Sequence, residues 1–557
     1  MPKRLRSGSQ LHSPPAKRSR DAVTSPVDRL SLLSDELLLH ILSFLPVSSL
    51  NICQRLSHRF HALSGDSELW KRQYYSQWVR PRARRLASTR RSTLPARTEY
   101  SPKVSTWLDH GHLAKEGKVT NWKRQYRLRH NWSHGLCRVT EVEFAQQPCP
   151  PVLVKLCCGI VYTADAAHGL RAWAAKDPTT CLAQTSFFDL PPASTVRPTA
   201  LAVSELLEEQ EVMVGFENGC FNRYTLNVQT YQLSLRSSHS GVSDGAITTM
   251  ALSSPYLLMV SQHKILSLYT LQTRPDTIID GAEPREIASL QADNMVAPIT
   301  LSLRVSPLDI TATIVYSFFH IGCGWCLGIQ ELRLDKSGQQ LGSRLASTVD
   351  SQYGARPSYG RSPSVQRRHS ATNDPMDGQQ FAAPATPSIV HQQPPTSMSY
   401  SHPYLLTSHA DNTLTMYLVV SNSTSLFVRG GQRLWGHTSS VSAVQVTNRG
   451  KAVSVSSRGE ELRIWELETA IASLGSQRPL KEESSIQVSL GNKAREPSGQ
   501  SLVRKHIRHG INTFEFDPSA PLELSYMHKC VGFDEERVLL LREKTVGTQL
   551  LECYDFT

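Results

Sequence analysis

Residues 434–467, LWGHTSSVSAVQVTNRGKAVSVSSRGEELRIWEL, contain several short strand patterns in close succession. A Gly-His pair opens the stretch at Gly436, and the segments VSAVQV and AVSVSS alternate apolar and polar residues as half-buried strands do. RGEE marks a turn, after which LRIWEL ends the unit on Trp465. Short strands separated by turn residues continue through residues 137–557 and predict an all-β repeat architecture there.

The stretch resembles a WD repeat, in which a Gly-His pair and a Trp-Asp pair frame a four-stranded propeller blade. Gly436 and His437 supply the first pair, while Glu466 follows Trp465 where the family has Asp. The acid that the family places in the turn is displaced in this sequence. The resemblance therefore leaves the internal hydrogen bonds of this blade open.

Weaker copies of the pattern recur along the chain and can be aligned on what we interpret as their last strands. These copies end at Trp173, Tyr224, Tyr269, residues 327–334, Tyr417 and Tyr554. Together with the unit that ends at Trp465 they predict about seven blades. Residues 136–144 form a strand pattern before the first copy, and the chain ends on a third-strand pattern. We therefore expect this early strand to complete the last blade and close the ring.

Two polar segments interrupt the repeats. Residues 346–398 are rich in Ser, Pro, Gln and Arg, and residues 472–505 form a second, shorter polar stretch. Both compositions predict disordered inserts that leave the number of blades unchanged. Residues 310–330 carry no formal charge, but they contain three Gly and lie where two strands of the fourth blade are needed. We expect strands there, not a membrane span.

The N-terminal region has a helical pattern instead. In LSLLSDELLLHILSFLPVSSL, residues 30–50, Leu37, Ile41 and Leu45 recur at a spacing of four, and Pro46 ends that helix. The apolar stretch is shorter than the roughly 20 residues that a spanning helix needs. Because three short helices cannot bury so wide an apolar stripe, we expect another protein surface to cover part of it.

Residues 33–72 resemble an F-box, the helical module that docks on the Skp adaptor of cullin ubiquitin ligases. The matching residues are Leu33, Glu36, Leu37, Ile41, Leu45, Pro46, Cys53, Leu69 and Trp70. Ser34 stands where the family usually has Pro, and the Trp often found after the Cys is missing. The resemblance implies adaptor binding through Leu33, Leu37, Ile41, Leu45 and Pro46.

An F-box followed by a propeller is the arrangement of F-box/WD-repeat proteins of the fungal type. The implied fold class is multidomain, α plus all-β, with a helical F-box before a roughly seven-bladed WD-type propeller. The implied domains are a disordered basic tail (1–28), the F-box domain (29–80), a basic connector (81–136) and the propeller (137–557). The implied function is that of a substrate receptor in an SCF ubiquitin ligase, which reaches cullin through the Skp adaptor and marks its substrate for proteasomal degradation. Such a receptor supplies proximity, not chemistry, so we expect no enzyme activity.

Substrate contacts are expected on the propeller face that carries the turns between the second and third strands. His263, Lys264 and Arg458 lie in such turns and could meet an acidic or phosphorylated peptide. For each of the three, a solvated turn without function is the alternative. The mildly acidic balance of the chain after residue 130 does not itself indicate a phosphate reader.

The net charge of +12 is concentrated in two segments. Residues 1–30 carry seven Lys or Arg against two acids, and residues 71–130 carry sixteen against three. The first segment has the form of a bipartite nuclear import signal, which predicts a nuclear or cytoplasmic protein. Its basic residues are Lys3, Arg4, Lys17, Arg18 and Arg20. The second segment, with its interleaved Trp residues, is either a helical linker whose aromatics pack on the following domain or a segment that binds RNA or acidic protein.

Several other chemistries find no support in the sequence. The 20 His form no cluster with metal-ligand spacing, and neither a phosphate-binding Gly loop nor a G-x-S-x-G motif occurs. Cys323 and Cys326 form a single CxxC that we expect in the core, since a structural zinc site needs a second pair. We therefore expect no catalytic residue, metal or cofactor, and binding of nucleic acid or membrane is not favoured. A propeller scaffold whose F-box works outside a cullin complex is the alternative function.

Overall fold

The computed structural model describes residues 30, 32–81, 120–145, 152–187, 196–205, 209–240, 245–271, 284–291, 295–307, 309–349, 389–422, 425–457, 461–468, 485–490, 531–545 and 548–557. These residues belong to two compact units. One unit contains the described residues before 82 together with Thr120–Tyr126, and the other contains Arg127–Thr557. The predicted connector, 81–136, is therefore shared between the two units where it is described.

The first unit consists of short helices. Their bounds are α1 Asp35–Leu42, α2 Val47–Cys53, α3 His58–Ser64 and α4 Ser67–Tyr74, followed by a π-helical turn at Tyr75–Val79 and, after residue 119, by the start of α5 Trp122–His134. The Ser57 hydroxyl caps α3 by accepting the N–H of Phe60 at 3.2 Å. Ser34 occupies the N-cap of α1 but makes no side-chain capping bond. The start of α1 is held by Arg59, whose guanidinium donates to the Asp35 carboxylate at 2.6 Å.

Aromatic side chains fill the interior of this helical unit. The indole N–H of Trp70 donates to the Ser64 carbonyl at 2.8 Å, and the Trp70 ring meets Tyr126 edge-on, with 5.3 Å between centroids. Trp122 packs against Tyr74 at 5.5 Å. Trp122 and Tyr126 come from the predicted connector, so part of its aromatic content packs on the helices that precede it and not on the following domain.

The second unit is a seven-bladed β-propeller, as predicted. Six blades are four-stranded sheets of consecutive strands. The first three blades are, in order, β2 Leu153–Cys157, β3 Ile160–Asp165, β4 Gly169–Ala174 and β5 Asp177–Thr185; β6 Pro198–Glu205, β7 Glu209–Phe216, β8 Phe221–Asn227 and β9 Leu233–His239; and β10 Ile247–Ser253, β11 Tyr256–Ser261, β12 Ile265–Thr270 and β13 Arg285–Gln291. The fourth, fifth and sixth blades are β14 Val296–Val305, β15 Ile310–His320, β16 Gly324–Leu334 and β17 Gln340–Ser347; β18 Ser397–Ser401, β19 Tyr404–Ser408, β20 Leu414–Ser421 and β21 Leu426–Leu434; and β22 Val441–Val446, β23 Lys451–Ser456, β24 Leu462–Glu466 and β25 Ser485–Gln487. The seven repeat ends aligned from the sequence fall on third strands. The fourth strands were missed because they lie at the outer edge and carry weak patterns, such as LSLRSSH in β9.

The seventh blade joins the two ends of the propeller. It contains β27 Val531–Phe533, β28 Arg537–Thr545, β29 Thr548–Asp555, β1 Leu136–Ala145 as its fourth strand and the short β26 Ser489–Leu490 at the outer edge. β1 runs antiparallel to β29, with Val139 opposite Tyr554. The predicted closure of the ring by residues 136–144 is confirmed, and it removes two open sheet edges.

The two predicted inserts are drawn too wide. β17 extends to Ser347, and residues 389–398 are described up to and into β18, so both ends of the predicted insert 346–398 have structure. Inside the predicted insert 472–505 lie β25 and a short strand, β26 Ser489–Leu490, which pairs parallel to β1. The reason is a brief apolar alternation, because Ile486 and Val488 pack against the core between the sixth and seventh blades.

The sixth blade contains a complete buried hydrogen-bond network. The Trp465 indole N–H donates to Ser454 Oγ at 2.7 Å, and that oxygen lies 2.6 Å from His437 Nε2. His437 Nδ1 lies 3.3 Å from the carboxylate of Glu461, which also accepts the N–H of Thr438 at 2.9 Å. Glu461, the last residue of the RGEE turn, therefore supplies the acid that the sequence comparison found displaced.

The uncharged stretch 310–330 forms β15 and β16 of the fourth blade, as expected. Among the described residues, no helix is long and apolar enough to cross a membrane. Cys323 and Cys326 are buried, in agreement with a place in the core. Burial, which is the main cause, raises the pKa of the Cys326 thiol to about 11.

Candidate functional site

The first candidate site is an apolar surface on the helical unit. α1 turns Leu38 and Leu42 into the interior, while Leu37, Ile41 and Phe44 are 54%, 43% and 68% exposed. Leu37 and Ile41 lie four residues apart on one side of α1, and Phe44 follows in the turn just after the helix. We call Leu37, Ile41 and Phe44 the α1 outer face.

Further large apolar side chains of the unit are exposed beyond the α1 outer face. They are Leu30, Leu32, Ile52 and Leu56. A small soluble domain seldom leaves this much aliphatic surface in water unless a partner covers it. The surface is therefore suited to bind another protein.

The five residues predicted to bind the adaptor differ in exposure. Leu37, Ile41 and Pro46 are exposed, whereas Leu33 and Leu45 are half-buried. The sequence did not identify Phe44 as an adaptor-binding residue, although it is more exposed than Leu37 or Ile41. Its place three residues after Ile41, in the same apolar stretch before Pro46, was the signal that could have identified it.

The last part of α5 lies on one face of the propeller. Trp132 stacks on Phe556 with 4.0 Å between ring centroids, and its indole N–H donates to the carbonyl of Glu535 at 2.9 Å. Glu535 lies in the turn between the first and second strands of the seventh blade. The amino group of Lys451 lies 4.0 Å from the centroid of the Trp132 ring, and burial lowers the pKa of Lys451 to about 8. Residues 127–134 of α5, which belong to the propeller unit, thus lie on the face that carries the turns between first and second strands.

The opposite face, which we call the turn face, carries the turns between second and third strands. The structure places His263 and Lys264 there, between β11 and β12. Lys264 adopts a positive φ of 61°, as the tight turn requires. Arg458 lies outside the described residues. The two described residues therefore lie on the turn face.

The most prominent feature of the turn face is apolar and was missed by the sequence reasoning. Phe319 and Ile321, at the tip of the β15–β16 hairpin, are 61% and 95% exposed, and Trp435, between β21 and β22, is 64% exposed. Val390 is also exposed. We call Phe319, Ile321, Val390 and Trp435 the apolar turn group. An isoleucine in a tight turn, where Gly, Asn, Asp and Ser dominate, was the signal that could have found it.

Backbone hydrogen bonds connect the members of the apolar turn group. The carbonyl of His391 accepts the N–H of Trp325 at 2.9 Å, which fixes the Val390 segment to the fourth-blade hairpin. The Arg433 guanidinium donates to the Val390 carbonyl at 3.2 Å, and Trp435 follows two residues later. The group therefore runs from the fourth blade across the fifth to the start of the sixth.

Arginines near the turn face are paired within their own blades. Arg171 lies 2.7 Å from Asp165, Arg463 lies 2.7 Å from Glu461, and Arg433 lies 3.6 Å from Asp411. Each pair neutralises a cation that could otherwise have met a phosphate. The described part of this face therefore resembles an apolar binding surface more than a phosphate-binding one.

Two other predicted chemistries can be compared with the structure. In the connector, Trp122, Tyr126 and Trp132 are all buried, so these rings are unavailable for stacking on RNA bases. Trp107 lies outside the described residues, as does the predicted nuclear import signal. Within the part of the chain that the structure describes, no group of three or more His, Cys, Asp or Glu could hold a metal ion.

Comparisons with known proteins address both units. A family model described as the F-box protein pof12 beta-propeller matches residues 137–557, and an F-box-like model matches residues 35–76. Among solved structures, the WD40 repeats of RRP9 are 9% identical, covering 75% of this chain and 97% of that chain, with a TM-score of 0.38. The beta-propeller domain of Myceliophteria thermophila Cps50 (Swd1) is 8% identical, covering 76% of this chain and 100% of that one, with a TM-score of 0.37. No curated protein sequence matches the chain.

The two family matches coincide with the two folded parts. The F-box-like match begins at the first residue of α1, and the propeller match begins one residue into β1 and extends to residue 557. The propeller model alone covers well over half of the chain. The chain therefore belongs to the family of F-box proteins that carry the pof12-type β-propeller.

Proposed function

We propose that this chain is the substrate-recognition subunit of an SCF (Skp-cullin-F-box) ubiquitin ligase. The observation that carries the proposal is the α1 outer face, which lies in the F-box-like segment and leaves Leu37, Ile41 and Phe44 in water. An F-box in general binds a Skp-type adaptor, and such a partner would bury this surface. Each large apolar side chain that becomes fully buried contributes about 1.5–3 kcal/mol.

The role is one of proximity. The adaptor and cullin would hold a ubiquitin carrier near whatever the propeller binds, so the effective concentration of substrate lysines at the carrier rises. No residue of this chain needs to make or break a bond in that role. The family of F-box propellers, whose members are typically non-catalytic receptors, supports it.

Adaptor capture tests the first half of the proposal. Leu37→Asp/Ile41→Asp places two charges in the α1 outer face and should weaken binding of a purified Skp-type adaptor by about 100-fold or more, because roughly 3 kcal/mol of apolar burial is lost. Leu345→Asp, at an equally exposed position on the outer strand of the fourth blade, should bind like the wild type. Equal adaptor recovery with the double variant would contradict the docking surface. Adaptor binding without cullin in the same complex would favour the scaffold alternative.

We propose further that substrates bind the turn face through the apolar turn group. The exposed side chains there can enter an apolar pocket of a partner or cover an apolar segment of it, and the paired arginines offer little to a phosphate. His263 and Lys264 would lie at the rim and favour acidic neighbours of the apolar anchor. Within the propeller unit Trp132 packs on the opposite face, and the apolar turn group is exposed.

Selection from a phage-displayed library of random peptides tests the substrate surface. Peptides retained by the full chain should be enriched in aromatic and large aliphatic residues, and their binding should be lost with Ile321→Asp. Leu341→Asp, on the outer strand of the same blade, is the matched control and should retain them. Enrichment of acidic peptides that are insensitive to Ile321→Asp but sensitive to Lys264→Ala would instead support the charged-turn hypothesis.

The localisation follows from the basic tail. We propose nuclear import through the clusters at Lys3-Arg4 and Lys17-Arg18-Ser19-Arg20, which have bipartite spacing. A fluorescent fusion should move from nucleus to cytoplasm when Lys17 and Arg18 are changed to Ala. An unchanged nuclear signal would contradict the assignment. Retention on RNA that resists moderate salt would revive the RNA alternative for the connector.

A further inference from the structure

Two consecutive cysteines form part of the turn between the first two strands of the first blade. β2 ends at Cys157 and β3 begins at Ile160, so only Cys158 and Gly159 separate the strands. Cys158 is exposed, Cys157 is partly exposed, and both are thiols. Their Sγ atoms lie 3.8 Å apart. This pair plays no part in the function proposed above.

The backbone at this turn is unusual for a cysteine. Cys158 has a φ of +47° and Gly159 a φ of +79°, the left-handed pair that a two-residue hairpin turn needs. Asn or Asp followed by Gly is the common sequence for this geometry, because other side chains are disfavoured at positive φ. A cysteine here therefore departs from the common turn sequence, which raises the question of what its thiol does.

The separation of the sulfurs fits one atom held between them. Two thiolates bound at about 2.3 Å to one pyramidal or tetrahedral centre lie about 3.3–3.8 Å from each other, so small rotations of the two side chains suffice for one atom to bridge them. A direct disulfide fits less well, since neighbouring Cα atoms are only about 3.8 Å apart and unstrained disulfides need about 4.4–6.8 Å. The two sulfurs are therefore better placed to bind one atom together than to form a disulfide with each other.

The two cysteines offer too few ligands for a protein metal site. Among the described residues no third His, Cys, Asp or Glu joins the pair to make a metal site, whereas protein zinc sites use three or four such ligands. An electrophile that needs only two sulfurs would be fully coordinated here. Arg537 lies beside the turn, because a Cβ placed on Gly159 would be 3.7 Å from its Nη1 atom, and its guanidinium is paired with the Asp555 carboxylate at 3.2 Å.

We propose that Cys157 and Cys158 form a dithiol site for thiophilic electrophiles of the trivalent organoarsenical class. In a compound R–As=O, the arsenic atom can exchange its bonds to oxygen for bonds to two sulfurs. Two As–S bonds form, the arsenic–oxygen bonds break, and the two thiol protons leave with the oxygen as water. The arsenic stays trivalent, so neither an oxidant nor a reductant is consumed.

Phenylarsine oxide added to the full chain tests the site. Intact-mass measurement should show one phenylarsenic group per chain that survives an excess of glutathione and is removed by 2,3-dimercaptopropanol, and peptide mapping should place it on residues 157–158. Cys157→Ser and Cys158→Asn should each lower retention in glutathione at least tenfold. Asn suits the left-handed conformation at position 158, so that variant should fold.

Two comparisons identify failure. Cys181→Ser removes an exposed single thiol of the same blade and should retain the adduct like the wild type. The other close pair, Cys323 and Cys326, is buried and should stay unmodified in the folded chain. An adduct that resists glutathione in both pair variants, or the absence of such an adduct from the wild type, would overturn the proposal.

Discussion

Acid should destabilise the propeller through a single buried histidine of the sixth blade. Burial lowers the pKa of His437 to about 4, against about 6.5 for an exposed histidine. The neutral ring protonated at Nδ1 satisfies both Glu461 and Ser454. Between the two pKa values the unfolded chain binds a proton that the folded chain does not, so the stability present above pH 6.5 is lost as the pH falls toward 4.

The size of the effect follows from that difference in pKa. Going from pH 7.5 to pH 5.0, His437 should remove about 2 kcal/mol from the free energy of unfolding. The measurement is urea unfolding of the full chain at both pH values, followed by tryptophan fluorescence, for the wild type and His437→Asn. The variant should be less stable at pH 7.5, because its hydrogen bonds are imperfect, but it should lose about 2 kcal/mol less than the wild type on acidification.

Two other buried histidines, His391 and His409, also have lowered pKa values and should also destabilise the fold in acid. The comparison of the wild type with His437→Asn removes their contribution. His391 and His409 stack with 3.8 Å between centroids, and burial lowers their pKa values to about 4 and about 3. Both are present in the wild type and in His437→Asn, so their effect cancels in the difference. His263→Asn, at an exposed turn, should keep the wild-type pH dependence. An identical pH dependence for the wild type and His437→Asn would refute the reasoning.

Further predictions concern backbone and packing. Gly169→Ala should prevent or strongly weaken folding of the first blade, because a Cβ on this left-handed residue would overlap the carbonyl oxygen of Thr185, whereas Gly342→Ala, with open space around it, should shift the thermal midpoint little. Trp132→Ala should cost about 3–5 kcal/mol in urea unfolding, since the buried ring stacks and donates a hydrogen bond, while the exposed Trp435→Ala should change stability by less than about 0.5 kcal/mol. Equal losses for the two tryptophan variants would contradict the assigned packing.

Local patterns in the sequence were sufficient to predict the number of blades and the closing strand. Third strands such as LRIWE in β24 are buried along their length and bear a clear apolar signature, so seven of them could be counted. Outer strands such as β9 expose much of their surface and have no such signature. β25 and β26 were lost inside a polar segment, because a few apolar residues in a charged stretch give too short a pattern.

The candidate sites divide in the same way. The exposure of Leu37 and Ile41 could be predicted from helical spacing. Leu38 and Leu42 lie on the buried side of α1, so the other side of this short helix faces solvent. Ile321 had only a weak signal, an isoleucine in a tight turn, because its full exposure depends on the length of the β15–β16 hairpin beyond the blade. Glu461 does not stand at the sequence position where the family has its turn acid, yet its carboxylate reaches His437. An alignment compares residue types position by position, so it could not show that Glu461 takes this role.

The pairing of β1 with β29 has a consequence for biosynthesis. Val139 leaves the ribosome about 400 residues before its partner Tyr554, which at about 5–20 residues per second is a delay of about 20–80 seconds. For most of that interval the early strand has no hydrogen-bonding neighbour on either side, because β26 and β29 are both made late, while the helices encoded before it can already fold. Nascent chains therefore pass through a long stage with the α1 outer face complete and the ring open, in which chaperones that shield bare strand edges would find their substrate.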